Sequence, residues 1–216
     1  MQQTPEYTLY HYWRSTSSWR VRWAMAYKNI AFKPIAVSLL DGESESAEHL
    51  MRNPAGYVPV LELKTGERLT ESLAIIRYLE DLHPIPTLYP GSPLDRARIL
   101  ALAETINAGT QPIQNLSVLL MHSPDSSEQK KWAQHWIQAG LKTYEALCTP
   151  FAGRFSHSDE LSIADLCLVP QVYNAERFAV DISPFPTISR IYKNCLTLES
   201  YLLSRPDAYQ PADFKA

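Results

Sequence analysis

Leu9-Tyr10-His11-Tyr12-Trp13-Arg14-Ser15-Thr16-Ser17-Ser18-Trp19-Arg20-Val21-Arg22 is the stretch on which the reading of this chain turns. An alternating aromatic run ends in four consecutive hydroxyl residues, and a helical pattern begins at Trp19. The pattern predicts a strand over 7–13, a hydroxyl-lined turn, and a helix over 19–29 with Val21, Ala24 and Met25 on one face. Such a turn gathers side-chain O–H groups and backbone N–H groups that have no intrahelical partner, where the helix dipole favours negative charge. The expectation is an anion-binding helix entrance, to which the rest of the chain brings a bound anion and an electrophile.

Downstream, residues 32–37 read as a second strand, with Pro34 placing it at a sheet edge or strand end. A strand–helix–strand unit of this length gives parallel strands with a right-handed crossover. A polar loop over 40–46 and a short helix over 47–52, stopped by Asn53-Pro54, follow. Val58-Pro59-Val60-Leu61-Glu62-Leu63, the turn Lys64-Thr65-Gly66-Glu67, and Arg68-Leu69-Thr70 form a hairpin pattern. Glu71-Ser72 opens a helix with Ile75, Tyr78, Leu79 and Leu82 on its apolar face, ended by His83-Pro84-Ile85-Pro86.

The order so far is β-α-β-α-β-β-α. Pro84, Pro86, Pro90, Gly91 and Pro93 then mark a linker. Four helices are expected beyond it: 94–121 (Ile99, Leu102, Ala103 and Ile106 in phase), 127–148, 162–178, and 186–203 with a break near its end; the tail 205–216 is expected to be irregular. The predicted domains are therefore an α/β domain over 1–83, a linker over 84–93, and an all-α domain over 94–216.

Bulk properties narrow the function. The 216 residues are 45% hydrophobic and 20% charged, ordinary for a soluble globular protein. A net charge of −3 argues against a nucleic-acid or anionic-membrane partner. No apolar run approaches the roughly 20 residues of a membrane span. The opening Met-Gln-Gln-Thr-Pro-Glu has neither basic region nor apolar core, so no secretory leader is expected. Cys148, Cys167 and Cys195 are odd in number, far apart and not paired with histidines at ligand spacing, which argues against disulfides and metal sites and for a reducing cytoplasm. The six histidines show no paired pattern, and only His11 lies near the turn.

Four motifs resemble one family. Tyr12-Trp13-Arg14-Ser15-Thr16-Ser17-Ser18-Trp19-Arg20-Val21-Arg22 is similar to the signature of zeta-class glutathione transferases, the maleylacetoacetate isomerases. So are Glu71-Ser72-Leu73-Ala74-Ile75-Ile76, Gln111-Pro112-Ile113-Gln114-Asn115-Leu116, and Ala164-Asp165-Leu166-Cys167-Leu168-Val169-Pro170-Gln171-Val172 with Asn174-Ala175-Glu176-Arg177-Phe178. The resemblance implies a thioredoxin-like N-terminal domain, a C-terminal helical bundle, and a homodimer. It implies glutathione-dependent conversion of maleylacetoacetate to fumarylacetoacetate in tyrosine breakdown, by reversible thiolate addition to the cis double bond. Where zeta-class turns often read Ser-Ser-Cys-Ser, this chain has Ser15-Thr16-Ser17-Ser18, so Ser17 stands at the family's cysteine position.

The resemblance also assigns residues. Ser15 is the main hydroxyl favouring the glutathione thiolate, with Ser17 next; the same hydroxyls equally suit helix capping, Ser18 above all. Val58, beside a proline whose bond the family makes cis, would pair with the peptide part of glutathione as an added strand. Glu71 suits the ammonium of glutathione and Ser72 its carboxylate, and the pair also reads as an ordinary helix start. Gln111 and Asn115 share a helix face directed at glutathione, or bond between helices. Arg14 and Arg177 are the cations for a substrate carboxylate, Arg177 having the alternative of a surface charge beside Glu176.

Arg20 and Arg22 read as structural ion pairs or a general positive field. Ser162-Ile163-Ala164-Asp165 reads as a capping box with Leu161 and Leu166 as its staple, and Pro170 as a kink. Losing the Asp165 cap should cost roughly 1 kcal/mol or more. Three other activities remain open on this scaffold: maleylpyruvate isomerisation, glutathione transfer to small α-haloacids, and a binding module without turnover.

Overall fold

Alternation in Tyr7–His11 (β1) turns Tyr7, Leu9 and His11 inward, and the strand becomes one of the two central strands of a four-stranded sheet. The computed structural model describes residues 6–212; the first five residues of the opening segment read for a leader and the last four residues of the tail lie outside the described residues. The sheet order is β2-β1-β3-β4, with β2 at Lys33–Ala36, β3 at Val60–Leu63 and β4 at Arg68–Thr70. β2 runs parallel to β1 with Pro34 opposite Leu9, and β3 and β4 are antiparallel. Pro34 thus sits on an edge strand, where a missing donor is tolerated.

Helix α1 (Thr16–Tyr27) joins β1 to β2, α2 (Ala47–Leu50) follows the polar loop, and α3 (Ser72–Leu82) follows the hairpin. α1 begins three residues earlier than the periodicity predicts, because Ser15 caps it. It is also buried on more than one face, Trp19 through Met25 all being covered. α3 covers one side and a late helix, α9 (Glu199–Ser204), another. The Trp19 indole N–H donates to Ser204 Oγ at 3.2 Å and the Trp23 N–H to Ser200 Oγ at 3.0 Å, with the Tyr201 ring 5.7 Å from each indole.

Residues 199–212 therefore belong with the α/β portion. The chain divides into one compact unit of Met1–Thr87 with Glu199–Ala216 and a second of Leu88–Leu198, so the tail departs from the predicted 94–216 grouping. The two indole donors and the Arg22 contacts described below are the reason. The tail is also more ordered than expected: Pro206–Tyr209 forms a 3-10 turn, and the Tyr209 ring stacks on Phe32.

The second unit is helical: α4 (Pro93–Asn107), α5 (Leu116–His122), α6 (Ser126–Cys148), α7 (Ile163–Arg177) and α8 (Pro186–Cys195). The predicted helix over 94–121 is two helices. After Asn107 the amides of Gly109 and Gln111 bond back to Glu104 O and Ile106 O, and Pro112 has no N–H with which to continue the ladder. A 3-10 turn at Pro112–Gln114 follows. Gly140 of α6 makes room for it, since a Cβ there would overlap the buried Thr110 side chain. The predicted 186–203 helix is likewise broken, into α8 and α9.

α7 forms the core of this unit with α4. It is covered from Ile163 to Val172 and continues through Pro170. Its start is built on Asp165, which is fully buried and accepts from Ser156 N at 2.8 Å, Ser162 N at 2.9 Å and the Ser162 hydroxyl at 3.0 Å. Leu161 and Leu166 are both buried.

Candidate active site

In the first unit the hydroxyl turn is closed by Ser15 N donating to Tyr12 O at 3.1 Å. Ser15 has extended backbone angles (φ −65°, ψ 119°), and its Oγ accepts from the Ser18 amide at 3.2 Å. It is the N-cap. Because Oγ acts there as acceptor, its proton is available for a second partner, and capping and thiolate donation are compatible. Ser18, expected to be the cap, is instead the amide donor; its own Oγ is wholly buried and has no partner among the described residues. Ser17 is half-buried in the first turn of α1. That turn carries no acidic residue, so the positive end of its dipole is not neutralised from within.

α3 starts in the same way, without an acid in its first turn. Glu71 precedes it at φ 67°, ψ 114°, a backbone conformation unfavourable for a residue with a Cβ and characteristic of functional sites. Ser72 is buried, and its Oγ accepts from Arg20 Nη1 at 3.3 Å, leaving the hydroxyl proton to donate elsewhere. Arg20 is fully buried, and this contact brings α1 to the start of α3. Val58–Pro59 is cis, and no hydrogen bond of the Val58 main chain is found among the described residues. Arg14 lies over the Trp13 ring (4.8 Å to its centroid) and donates to the Tyr12 hydroxyl at 3.4 Å.

Arg22 is fully buried and acts as a hydrogen-bond donor to the main chain and to a neighbouring ring. It donates to Tyr12 O (3.3 Å), Trp13 O (2.9 Å), Ser204 O (3.1 Å) and His11 Nδ1 (3.2 Å). The carbonyls leading into the Ser15 turn are thereby held against the tail. Tyr209 completes the cluster, its ring edge-on to His11 at 5.2 Å and under the Arg22 guanidinium at 4.7 Å.

Burial first and the Arg22 charge second push the His11 pKa down to about 3, with a backbone contact to Tyr12 in partial opposition. His11 therefore stays neutral in the folded chain while an unfolded chain takes up the proton below about pH 6.5. Stability should fall as pH drops from about 6.5 towards 3, by up to about 1.4 kcal/mol per pH unit. His11→Asn keeps an acceptor for Arg22 and cannot titrate there. Urea midpoints near pH 7 and pH 5 should converge in that variant relative to the parent; an unchanged difference would remove His11 from the account.

In the second unit, Gln111 and Asn115 flank the 3-10 turn instead of lying on one long helix. They still meet, Gln111 Nε2 donating to Asn115 Oδ1 at 2.6 Å. Arg177 ends α7 and is exposed; its Nη1 donates to Asn174 Oδ1 at 3.0 Å. Its neighbour Glu176 instead accepts from the Tyr192 hydroxyl. Three polar side chains behind Arg177 were not singled out from sequence: Gln114, Gln171 and Asn174. The signal was present, since Gln171, Asn174 and Arg177 are spaced by three on a largely buried helix and share a face.

Comparison with known proteins decides the family. Residues 5–81 match the family model of the glutathione S-transferase N-terminal domain. Maleylacetoacetate isomerase of Mus musculus is 44% identical over 200 residues, covering 92% of this chain and 91% of that protein. The chain belongs to the maleylacetoacetate isomerases, the zeta class of glutathione transferases. A crystal structure of the family member from Anaeromyxobacter dehalogenans, with glutathione bound in its active site, superposes with a TM-score of 0.86 at 44% identity over 95% of this chain and 97% of that one. A holo structure of maleylpyruvate isomerase, described as a bacterial zeta-class glutathione S-transferase, gives a TM-score of 0.90 at 35% identity, covering 96% of this chain and all of that one. The zeta-class relationship accounts for the mixed sheet and for the helical second unit together.

Proposed function

We propose that this chain is a glutathione-dependent cis–trans isomerase that converts maleylacetoacetate to fumarylacetoacetate. The observation that carries the reading is the Ser15 cap: a hydroxyl that accepts from its own helix and keeps its proton, at a dipole end without an acid. The residues present suit glutathione, an anionic tripeptide with one ammonium. Ser15 holds the sulfur, the Val58 main chain the peptide, Ser72 the γ-glutamyl carboxylate and Glu71 the ammonium, with Gln111 and Asn115 as further polar contacts. When bound, glutathione supplies a thiolate that adds reversibly across the cis double bond and so frees rotation about it.

The protein's part is electrostatic. The Ser15 O–H and the start of α1 favour the ionised thiol. Arg177 is the anchor for a substrate carboxylate, to which guanidinium offers two-point contact, and Arg14 supplies a second cation. A protein thiol has no role, because serine occupies position 17 and all three cysteines are buried outside any disulfide. Burial pushes Cys148 up to about 12 and raises Cys195 well above the ordinary thiol range, which makes both inert. The same reading carries a homodimer in the cytoplasm acting in tyrosine breakdown.

Maleylpyruvate isomerisation is the second reading, favoured by the similarity to that zeta-class enzyme. The two are separated by measuring kcat/KM for maleylacetoacetate and maleylpyruvate side by side at saturating glutathione. A preference of about tenfold or more for maleylacetoacetate is expected, within the range that pocket contacts alone provide. A preference for maleylpyruvate would exchange the two assignments.

A further inference from the structure

Behind Arg177 lies a chain of three buried amides. Asn174 Nδ2 donates to Gln114 Oε1 at 3.1 Å, and Gln114 Nε2 donates to Gln171 Oε1 at 2.9 Å, with a longer approach to Thr110 O at 3.4 Å. Exposure is 8% for Asn174, 5% for Gln114 and none for Gln171. The direction of the chain follows from its outer end. A guanidinium only donates, so Asn174 must present oxygen to Arg177 and its NH₂ to Gln114, which in turn presents its NH₂ to Gln171.

We infer that Asn174, backed by Gln114 and Gln171, is a positioning residue that aims the Arg177 guanidinium at the substrate carboxylate. This rests on the reading of Arg177 as the carboxylate anchor. Stability alone is a poor reason for the network. Buried amides gain little over apolar side chains of the same shape even when fully bonded, and this chain is not: Gln171 Nε2 is buried with no partner among the described residues. A long exposed arginine carries about 2 kcal/mol of rotamer entropy, and holding it in advance of binding lowers the free energy lost on capture of an anion. Gln114 also lies in the 3-10 turn between Gln111 and Asn115, so one short segment carries candidate glutathione contacts and the support of the substrate arginine.

A double-mutant cycle tests this with a readout that a merely structural role would not move. Succinate, a saturated dicarboxylate, serves as the probe, with its dissociation constant read by calorimetry on the full chain. Asn174→Ala should weaken succinate by about tenfold and raise substrate KM similarly while kcat stays within about twofold. In an Arg177→Ala background the same change should alter succinate binding by less than about twofold, because Asn174 acts through the arginine. Equal losses in both backgrounds, or no loss in either, would overturn the inference. If Asn174→Ala does not fold, Gln114→Met withdraws the acceptor one step back. It should weaken succinate by about threefold with Arg177 present and have no effect without it; no loss with Arg177 present, or an equal loss without it, would count against the inference. An Arg177→Ala variant that binds succinate as well as the parent would instead overturn the anchor reading itself.

Discussion

Ser15→Ala should lower kcat/KM for isomerisation by about 10²–10³-fold, the usual result of removing one preorganised donor from a developing or stabilised anion. The fold should lose only the cap, about 1 kcal/mol. The separation is possible because the Ser15 Oγ has two duties on two sides: it accepts from the Ser18 amide at 3.2 Å and keeps a proton to donate. Ser15→Asp restores the acceptor without the donor, so it should recover stability and remain inactive. Thiolate absorbance in the ultraviolet reports the chemistry directly. Added glutathione should ionise on the parent at neutral pH and stay a thiol on Ser15→Ala. A Ser15→Ala variant with parental rate and absorbance would transfer the role to another hydroxyl, Ser17 being the nearest candidate.

Asp165→Ala should be the most destabilising single change of the set, by about 3 kcal/mol. From sequence the residue is half of a capping box, with a loss of roughly 1 kcal/mol. The structure puts it in the interior, where its carboxylate is the acceptor for the amides of both Ser156 and Ser162, themselves fully buried. Alanine strands both, at about 1–3 kcal/mol each. Part of that is offset because the carboxylate no longer has to be buried; desolvation is strong enough to raise the Asp165 pKa despite its hydrogen bonds. A carboxyl raised in this way contributes stability at acid pH that is lost as pH rises through its folded value, so the variant's deficit should be larger at acid than at neutral pH. The thermal midpoint should fall by about 6–12 °C near neutral pH. A fall below about 2 °C would mean that water or a neighbour replaces the carboxylate.

How far the sequence carried the reading depends on what each signal encodes. The strand–turn–helix at 7–27 and the hairpin at 60–70 were legible because period and turn chemistry are local properties. The break after Asn107 was not, since apolar residues at helical spacing continue past it; only Gly109 and Pro112 betray it. Arg20 and Arg22 illustrate a second limit. From sequence the two read as structural ion pairs or a general positive field, and it takes a helix covered on several sides to bury both guanidinia, Arg20 against Ser72 and Arg22 as donor to three carbonyls and His11. The association of 199–212 with the α/β unit was invisible for a related reason: Ser200 and Ser204 are ordinary helix residues until two indoles are placed above them. Ser15, Glu71, Ser72 and Arg177 are candidates that motif and helix-start chemistry put forward, whereas the amide chain behind Arg177 depends on a contact between residues 60 positions apart.

The central claim is that the reacting sulfur belongs to glutathione and the protein only prepares it. Isomerisation of maleylacetoacetate measured with glutathione, with S-methylglutathione, and with neither tests this most directly. S-methylglutathione keeps the peptide and both of its charged ends but has no ionisable thiol. Turnover is predicted with glutathione alone, and background rates in the other two reactions. Turnover with S-methylglutathione, or with no peptide at all, would contradict the account.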